Sequence, residues 1–255
     1  MPLDLSQVAA QIEGLAAKLK TEEKERREHL ERALQLLHAA DADSLKRKSA
    51  ASKTSWLVAG LTDGLAQHYE APHYPTEFTV LATDGSHIDV DRHSSVRCYL
   101  INIGSALLHY GENPDALLSS EARLFFGDDL VLTGPTGREE LIEGAILGVK
   151  RSVAECQALA EIASKLPGEW PTLALIDGSL ILWGLAGRDF EEAKSFVREE
   201  LLDKEYLETL DCMKRYGENK IFALASYISF PRSTDVVNAL RVYLCPHDPA
   251  DCDRY

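Results

Sequence analysis

The stretch Leu173-Ala-Leu-Ile-Asp177-Gly178-Ser179-Leu180 decides the fold that this sequence predicts. Its apolar first half indicates a short buried strand, which stops abruptly at an acid, a glycine and a hydroxyl. A carboxylate at the end of a buried strand is costly to keep ionised unless a cation or a hydrogen-bond donor meets it. We therefore expect Asp177 to face a metal ion, a base or a helix N-terminus.

The same pattern occurs once earlier in the chain. Phe78-Thr-Val-Leu-Ala-Thr-Asp84-Gly85-Ser86 is a second β-rich run that ends in Asp-Gly-Ser. A single Asp-Gly-Ser is ordinary turn chemistry, but two copies that each close a strand favour a common role. The sequence thus predicts two strands that deliver two acids, Asp84 and Asp177, 93 positions apart.

Length and composition limit the possible classes of protein. The 255 residues, 45% of them apolar, suffice for one large core or for one domain with a helical appendage. The 27 basic and 41 acidic residues give a net charge of −14, which argues against non-specific nucleic-acid binding but leaves room for a local basic groove or a metal-loaded acidic site. No apolar run approaches about 20 residues and no signal-peptide pattern opens the sequence, so a soluble, cytoplasmic protein without membrane contact is expected.

The five cysteines are an odd, scattered set that does not indicate a disulfide framework. Cys245 and Cys252 frame a tail, Cys-Pro-His-Asp-Pro-Ala-Asp-Cys, with residue types that ligate metals. Its spacing is not that of a standard zinc site, so zinc is disfavoured there.

The first 70 residues are predicted to form a helical region that precedes a core over 71–255. From Leu3 to about His38, apolar residues recur every three or four positions, which predicts a long helix with a narrow apolar stripe. This helix either lies on its own domain or packs on a partner chain. A linker over Asp41–Thr54 and a further helix over Ser55–Tyr69 are expected to follow.

After Asp84 the chain is unusually polar for a segment between strands, with His87, Asp89, Asp91, Arg92 and His93 close together. The spacing of an EF-hand calcium loop is absent. Two strands separated by Gly104 are predicted next, over 95–103 and 106–110, followed by a surface excursion over 112–138.

A long helix is predicted from about Glu139 to Lys165. Its apolar residues alternate steps of three and four, so one face belongs to the core. Glu161 lies on the polar side, whereas Glu155 adjoins the apolar stripe beside small residues, and either faces the sheet or stays solvated at the stripe's edge. Beyond the central strand, a charged helix over 191–216, a strand over 220–230 that contains Tyr227, and a helix over 236–244 complete the prediction.

Two strand-end aspartates and one inward helix glutamate match the needs of a two-metal phosphodiester site. Mg²⁺ and Mn²⁺ prefer oxygen ligands, and a bridging carboxylate can hold two such ions roughly 4 Å apart. The order of strand, meander, long helix, strand and helix predicts an α/β fold with an RNase H-like mixed sheet flanked by helices, in which the acids gather at one edge.

These residues also resemble the NurA nucleases. The resemblance runs through Ala82–Ile88 with Asp91-Arg92-His93, then Leu100–Gly104, Arg151–Glu155, Leu175–Leu180 and Ser226–Pro231. Together these blocks cover about residues 78 to 245 in the family's order and approximate spacing, and their combination is specific although no single block is.

The resemblance implies a DNA nuclease that depends on Mn²⁺, with Mg²⁺ as a substitute and two ions expected. It further implies 5′ to 3′ exonuclease and single-strand endonuclease activity in DNA end resection, a homodimer, and a HerA-type hexameric ATPase as partner. By position, Asp84, Glu155 and Asp177 resemble the metal ligands and Tyr227 the tyrosine that lines the active site. Ser86, Arg92, His93 and Ser179 are expected near DNA.

Two other functions stay open at this point. Family members usually continue through further strands and a helix that supplies a late histidine, and because nothing here matches that region, a short family member is expected. An inactive, nuclease-like subunit that docks a translocase through its helical arm is therefore one alternative. The other is a metal-dependent phosphatase or nucleotidase that uses the same carboxylates on small substrates.

Overall fold

A computed structural model of the chain describes residues 5–91, 93–134, 137–182, 195–247 and 249–251. The chain divides into two compact units, one made of Met1–Pro72 with Arg232–Tyr255 and the other of His73–Pro231. The predicted division into residues 1–70 and 71–255 stays a prediction.

The first unit contains the predicted long helix, α1 (Leu5–Ala39). A second helix, α2 (Ala42–Ala51), occupies the region that the sequence predicted as a linker. That prediction was wrong because Asp41 caps the helix: its side chain accepts a hydrogen bond from the Ser44 backbone N–H at 2.7 Å. The helix predicted over 55–69 is absent from these residues, all of which the structure describes as irregular.

Hydrogen bonds and apolar packing hold that irregular stretch in place. The Asn238 side chain donates to the Leu57 carbonyl at 2.9 Å, and Trp56 and Val58 pack against the buried Val242. Asn238 and Val242 lie on α6 (Asp235–Leu244), which confirms the predicted C-terminal helix. These contacts fix residues 56–58 in a non-helical conformation, which interrupts the predicted helix near its start.

The second unit is built on a five-stranded mixed sheet. Its strands are β1 (Phe78–Ile88), β2 (Cys98–Tyr110), β3 (Asp115–Phe126), β6 (Thr172–Asp177) and β7 (Phe222–Tyr227), in the spatial order β3-β2-β1-β6-β7. The first three are antiparallel neighbours, and β1, β6 and β7 run parallel. A small ribbon pairs β4 (Val131–Thr133) with β5 (Glu139–Leu141). This arrangement confirms the predicted α/β class and RNase H-like mixed sheet.

Three details of the strands differ from the prediction. β1 continues through Asp84 to Ile88, and β2 is one strand that runs through Gly104, because the two pair without interruption from Phe78↔Tyr110 to Ile88↔Leu100. β3 lies within the predicted surface excursion. Its side chains are nearly all exposed, so no alternation of buried and polar residues revealed it.

Helices cover one face of the sheet. α3 (Ala145–Lys165) begins later than predicted, because Glu139–Leu141 forms β5 and Gly144, with φ +55°, precedes the helix. α4 (Ser195–Arg198), a π-helical segment (Glu199–Leu207) and α5 (Glu208–Gly217) confirm the predicted charged helix over the described part of its length; residues 191–194 lie outside the described residues. Leu201 is buried as predicted, but Leu207 is exposed.

The core of this unit lies between α3, the π-helical segment and the sheet. It includes Leu81, Leu147, Cys156, Leu159, Ala174 and Val197, each with no exposed surface. Within the described part of the chain, no helix combines the length and apolar character needed to cross a membrane.

Candidate functional site

Asp84 and Asp177 are neighbours on adjacent parallel strands. β1 and β6 pair from Thr79↔Thr172 to Thr83↔Ile176, and each aspartate is the next residue of its strand. Residues in register on adjacent strands project to the same face of a sheet. Both side chains are exposed, and Gly178, with φ +90°, turns the chain directly after Asp177.

Tyr227 joins the two aspartates from the next strand. It lies opposite Asp177 in the β6–β7 pairing, and its carbonyl accepts a hydrogen bond from the Gly178 N–H at 2.9 Å. Asp84, Asp177 and Tyr227 line one shallow depression, together with small and apolar residues that include Ala82, Gly104, Ala106 and Leu175. The structure thus brings three of the predicted site residues to one place.

Glu155 reaches the same sheet position from α3. The Thr83 hydroxyl donates to the Glu155 carbonyl at 3.0 Å and ties the helix to β1. The Glu155 residue is only 3% exposed, which confirms that it faces the sheet. A Cβ placed on Gly85 would lie 2.9 Å from Glu155 Cγ, so β1 and this side chain can approach each other only because residue 85 is a glycine.

Arg151 is a site residue to which the sequence analysis assigned no role. Its Nη1 donates to Glu155 Oε1 at 2.5 Å and to the Gly85 carbonyl at 2.7 Å. The spacing of Arg151 and Glu155 could have predicted this contact, since opposite charges four residues apart meet on a helix surface. Arg151 therefore supplies the cation that the buried carboxylate needs in the structure described.

Burial raises the pKa of Glu155 from 4.5 to about 7. The Arg151 guanidinium and a backbone hydrogen bond from Gly85 act in the opposite direction and lower this pKa, whereas the carboxylates of Asp84 and Asp177 raise it further. The charges of Asp84 and Asp177 therefore act on the Glu155 carboxyl group. An added cation there would lower the pKa of Glu155 and stabilise its ionised form.

The donor types at this site suit a hard divalent cation, because all three side chains offer carboxylate oxygens. Among the described residues, however, no group of three or more His, Cys, Asp or Glu side chains could hold a metal ion as arranged. One Glu155 oxygen is bound by Arg151 instead. The site therefore fits a cation by its chemistry, and Glu155 would have to loosen its contact with Arg151 to share in binding one.

The residues expected near DNA lie outside the depression where the structure describes them. Ser86 is exposed on β1. The His93 backbone N–H donates to Asp91 Oδ1 at 2.8 Å within its own turn, and Ser179 Oγ accepts from the Ile181 N–H at 3.0 Å. Arg92 lies outside the described residues.

The family model of the NurA domain matches residues 78–255 of this chain. The crystal structure of the NurA nuclease from Sulfolobus solfataricus aligns with a TM-score of 0.38 and 12% identity, over 89% of this chain and 66% of that one. A prototype foamy virus protease–reverse transcriptase aligns with a TM-score of 0.35 and 13% identity, over 71% of this chain and 21% of that one. The chain thus spans less than two thirds of either protein.

A third solved structure, LC9-RNase H1, a type 1 RNase H with the type 2 active-site motif, aligns with a TM-score of 0.31 and 8% identity, over 67% of this chain and 72% of that one. No curated protein matches the sequence.

Proposed function

Because the chain belongs to the NurA domain family, we propose that it is a metal-dependent nuclease that hydrolyses phosphodiester bonds of DNA. One observation carries the proposal: Asp84 and Asp177 lie side by side on neighbouring strands, and both raise the pKa of the buried Glu155. A buried acid in contact with other titratable groups, whose pKa is strongly shifted by burial and by neighbouring charges, is a candidate functional residue.

The three carboxylates have different tasks in this proposal. Asp84 and Asp177 are exposed and would hold one or two divalent cations, Mn²⁺ or Mg²⁺, to which the buried Glu155 would contribute from the helix side. When bound, such a cation supplies positive charge that activates water and stabilises the charge on the leaving oxygen. The Arg151 guanidinium, which donates to Glu155 and to the Gly85 carbonyl, has the geometry and charge that would suit a phosphate oxygen.

In this proposal the scissile phosphate of a nucleic-acid strand lies at the depression. Its floor includes Gly104 and Ala106, whose small side chains leave the backbone of β2 accessible beside Asp84. The Tyr227 side chain is 66% exposed at the rim. Its ring can stack on a base and its hydroxyl can donate to a phosphate oxygen.

Further details of the proposed activity come from membership of the NurA domain family alone. They are 5′ to 3′ exonuclease and single-strand endonuclease activity, a preference for Mn²⁺, a homodimer, and cooperation with a HerA-type hexameric ATPase in the resection of DNA double-strand breaks.

Cleavage of end-labelled single- and double-stranded oligonucleotides by the purified chain tests the proposal. Reactions contain Mn²⁺, Mg²⁺ or EDTA, and Glu155→Gln is compared with Glu161→Gln, a matched change of an exposed glutamate on the same helix. We expect cleavage only with metal, its loss in Glu155→Gln, and its retention in Glu161→Gln. Turnover of mononucleotides without cleavage of oligonucleotides would instead favour a nucleotidase.

An inactive, nuclease-like subunit is the second candidate. The pairing of Arg151 with Glu155 favours this inactive subunit, since Arg151 occupies a carboxylate that a metal would need. A chain that binds a HerA-type ATPase but cleaves no DNA with any divalent ion, even in that complex, would support this alternative and contradict the nuclease.

A further inference from the structure

The backbone leaves the sheet directly after Asp177. The pairing of β6 with β1 ends one residue before this aspartate. The Gly178 N–H still donates to the Tyr227 carbonyl at 2.9 Å, so β7 holds the first residue of the loop. Residues 179–182 belong to no strand. The position of the Asp177 carboxylate therefore depends on what fixes this loop.

Tyr206 holds the loop from the helix side of the sheet. Its hydroxyl donates to the Leu180 carbonyl at 3.1 Å. Among the described residues, this is the one hydrogen bond that joins residues 179–182 to another part of the chain. The other bond of the loop is internal, from the Ile181 N–H to Ser179 Oγ. The tyrosine thus fixes the backbone three residues after the strand-end acid.

The π-helical segment brings Tyr206 to this position. π-Helices are rare, occur mostly as single turns and are frequent at functional sites. Leu201 and Tyr206 are 1% and 2% exposed, although side chains five residues apart point about 140° away from each other in an α-helix. In a π-helix the hydrogen bonds join residues five apart, so such side chains lie on nearly the same side. The π-helical winding therefore turns Tyr206 into the core together with Leu201.

The surroundings of Tyr206 keep its hydroxyl a hydrogen-bond donor. Burial, with smaller contributions from Cys156 and Glu155, raises the pKa of Tyr206 to about 12. The hydroxyl therefore stays protonated through the neutral pH range and can donate to the Leu180 carbonyl throughout it.

We propose that Tyr206 is a positioning residue of the candidate site, which acts through the Leu180 carbonyl to hold the Asp177 carboxylate beside Asp84. The inference rests on the proposed function, since only a bound cation or substrate gives the position of this carboxylate a chemical role. Two anionic groups bind a divalent cation more tightly when the fold already holds them together, because less conformational entropy is lost on binding. Tyr206 itself touches neither the cation nor the substrate.

Tyr206→Phe tests this role because it keeps the ring and removes only the hydroxyl. The matched control is Tyr216→Phe. The Tyr216 hydroxyl also donates to a leucine carbonyl, that of Leu166, at 3.2 Å, but this carbonyl lies at the end of α3, about three helical turns from Glu155. Both variants should unfold cooperatively at most about 4 °C below wild type, as expected for the loss of one hydrogen bond.

Two measurements on the full chain separate positioning from stability. Without metal, amide hydrogen exchange at Gly178 and Ile181 should be about 2–10-fold faster in Tyr206→Phe, the factor to which one hydrogen bond corresponds. Calorimetric titration should show that the same variant binds Mn²⁺ about tenfold more weakly, the lower end of the range for groups that orient a ligand. Tyr216→Phe should change neither quantity.

The outcomes distinguish this inference from the proposed function. A wild-type chain that binds no Mn²⁺ would overturn the proposed function and the role of Tyr206 with it. If wild type binds Mn²⁺, equal affinity in wild type and Tyr206→Phe, or unchanged exchange at Gly178 and Ile181, would overturn the role of Tyr206 alone. An equal loss of affinity in Tyr206→Phe and Tyr216→Phe would also overturn it, because the cause would then be a general loss of stability.

Discussion

Asp84 and Asp177 lie side by side on β1 and β6. Each residue of β1 lies opposite the residue of β6 that is 93 positions later in the chain, and the two Asp-Gly-Ser tripeptides are also 93 positions apart. The core fixes this offset: Leu81 on β1 lies opposite Ala174 on β6, and both are fully buried. A slip of one residue would turn one of the carboxylates to the other face of the sheet. Packing on one face thus aligns the acids on the other.

Neutralising either aspartate should weaken metal binding without unfolding the chain. Asp84→Asn and Asp177→Asn each remove one anionic oxygen donor from an exposed position, so we expect a loss in Mn²⁺ affinity of at least about 10–100-fold, the range for groups that only orient a ligand. The change in stability should stay within about 0.5 kcal/mol. Calorimetric titration with Mn²⁺ measures the affinity. Asp115→Asn, an exposed change on β3, is the control, and equal Mn²⁺ affinity in all three variants would contradict the assigned ligands.

Glu155→Gln should stabilise the protein in alkaline but not in acidic solution. The folded-state pKa of Glu155, about 7, exceeds its ordinary value of 4.5, so the folded state binds the proton of this carboxyl group more tightly than the unfolded state does. The protonated carboxyl group therefore stabilises the fold at low pH, and this stabilisation is lost as the pH rises through 7. The variant should match wild type below pH 4.5 and exceed it by up to about 3 kcal/mol at pH 8. Urea unfolding at several pH values measures this difference.

The control for that experiment is Glu161→Gln, because the Glu161 side chain is solvated and bound to Lys165. It should show no gain in stability between pH 5 and pH 8. A pH-independent difference between Glu155→Gln and wild type would show that burial does not raise the pKa of Glu155.

Arg151→Met should destabilise the protein most at high pH. The variant removes the cation that lowers the pKa of Glu155, so the carboxylate stays protonated to higher pH and its ionisation costs more. We expect a loss of about 1–3 kcal/mol at pH 8 and a smaller loss at pH 5, where Glu155 is protonated in either protein. The double variant Arg151→Met/Glu155→Gln should be more stable at pH 8 than the sum of the two single effects, because the loss of Arg151 costs less when residue 155 carries no charge. Simple additivity would argue against the pairing.

Gly85→Ala should be destabilising, whereas Gly104→Ala in the neighbouring strand should be tolerated. A Cβ at position 85 would lie 2.9 Å from Glu155 Cγ and 3.1 Å from Arg151 Cγ, but a Cβ at position 104 meets only the Asp84 carbonyl, at 3.6 Å. We expect Gly85→Ala to cost about 1–3 kcal/mol. Thermal unfolding of both variants measures the difference, and equal stability would show that α3 can move away from β1.

Local pattern alone predicted much of this protein. The apolar runs that end in Asp84 and Asp177 predicted β1 and β6, and the three- and four-residue steps predicted α1, most of α3 and the inward direction of Glu155. These features depend on residues close together in the chain, whose periodicity indicates which face is buried. For Glu155, at the edge of that face, the pattern left two orientations open.

Tertiary structure decided the remaining features. β3 shows no buried face in its sequence and exists because β2 offers it a partner. Residues 56–58 are held in a non-helical conformation by Asn238 and Val242. The contact of Arg151 with Glu155 and Gly85 joins a helix to a strand 66 residues away. The sequence by itself determined which acids are present and which elements carry them. Only the folded sheet, through its register and its packing against α3, determined that these acids lie near one another. The reason is that pairing between distant segments is set by the whole core and not by local preference.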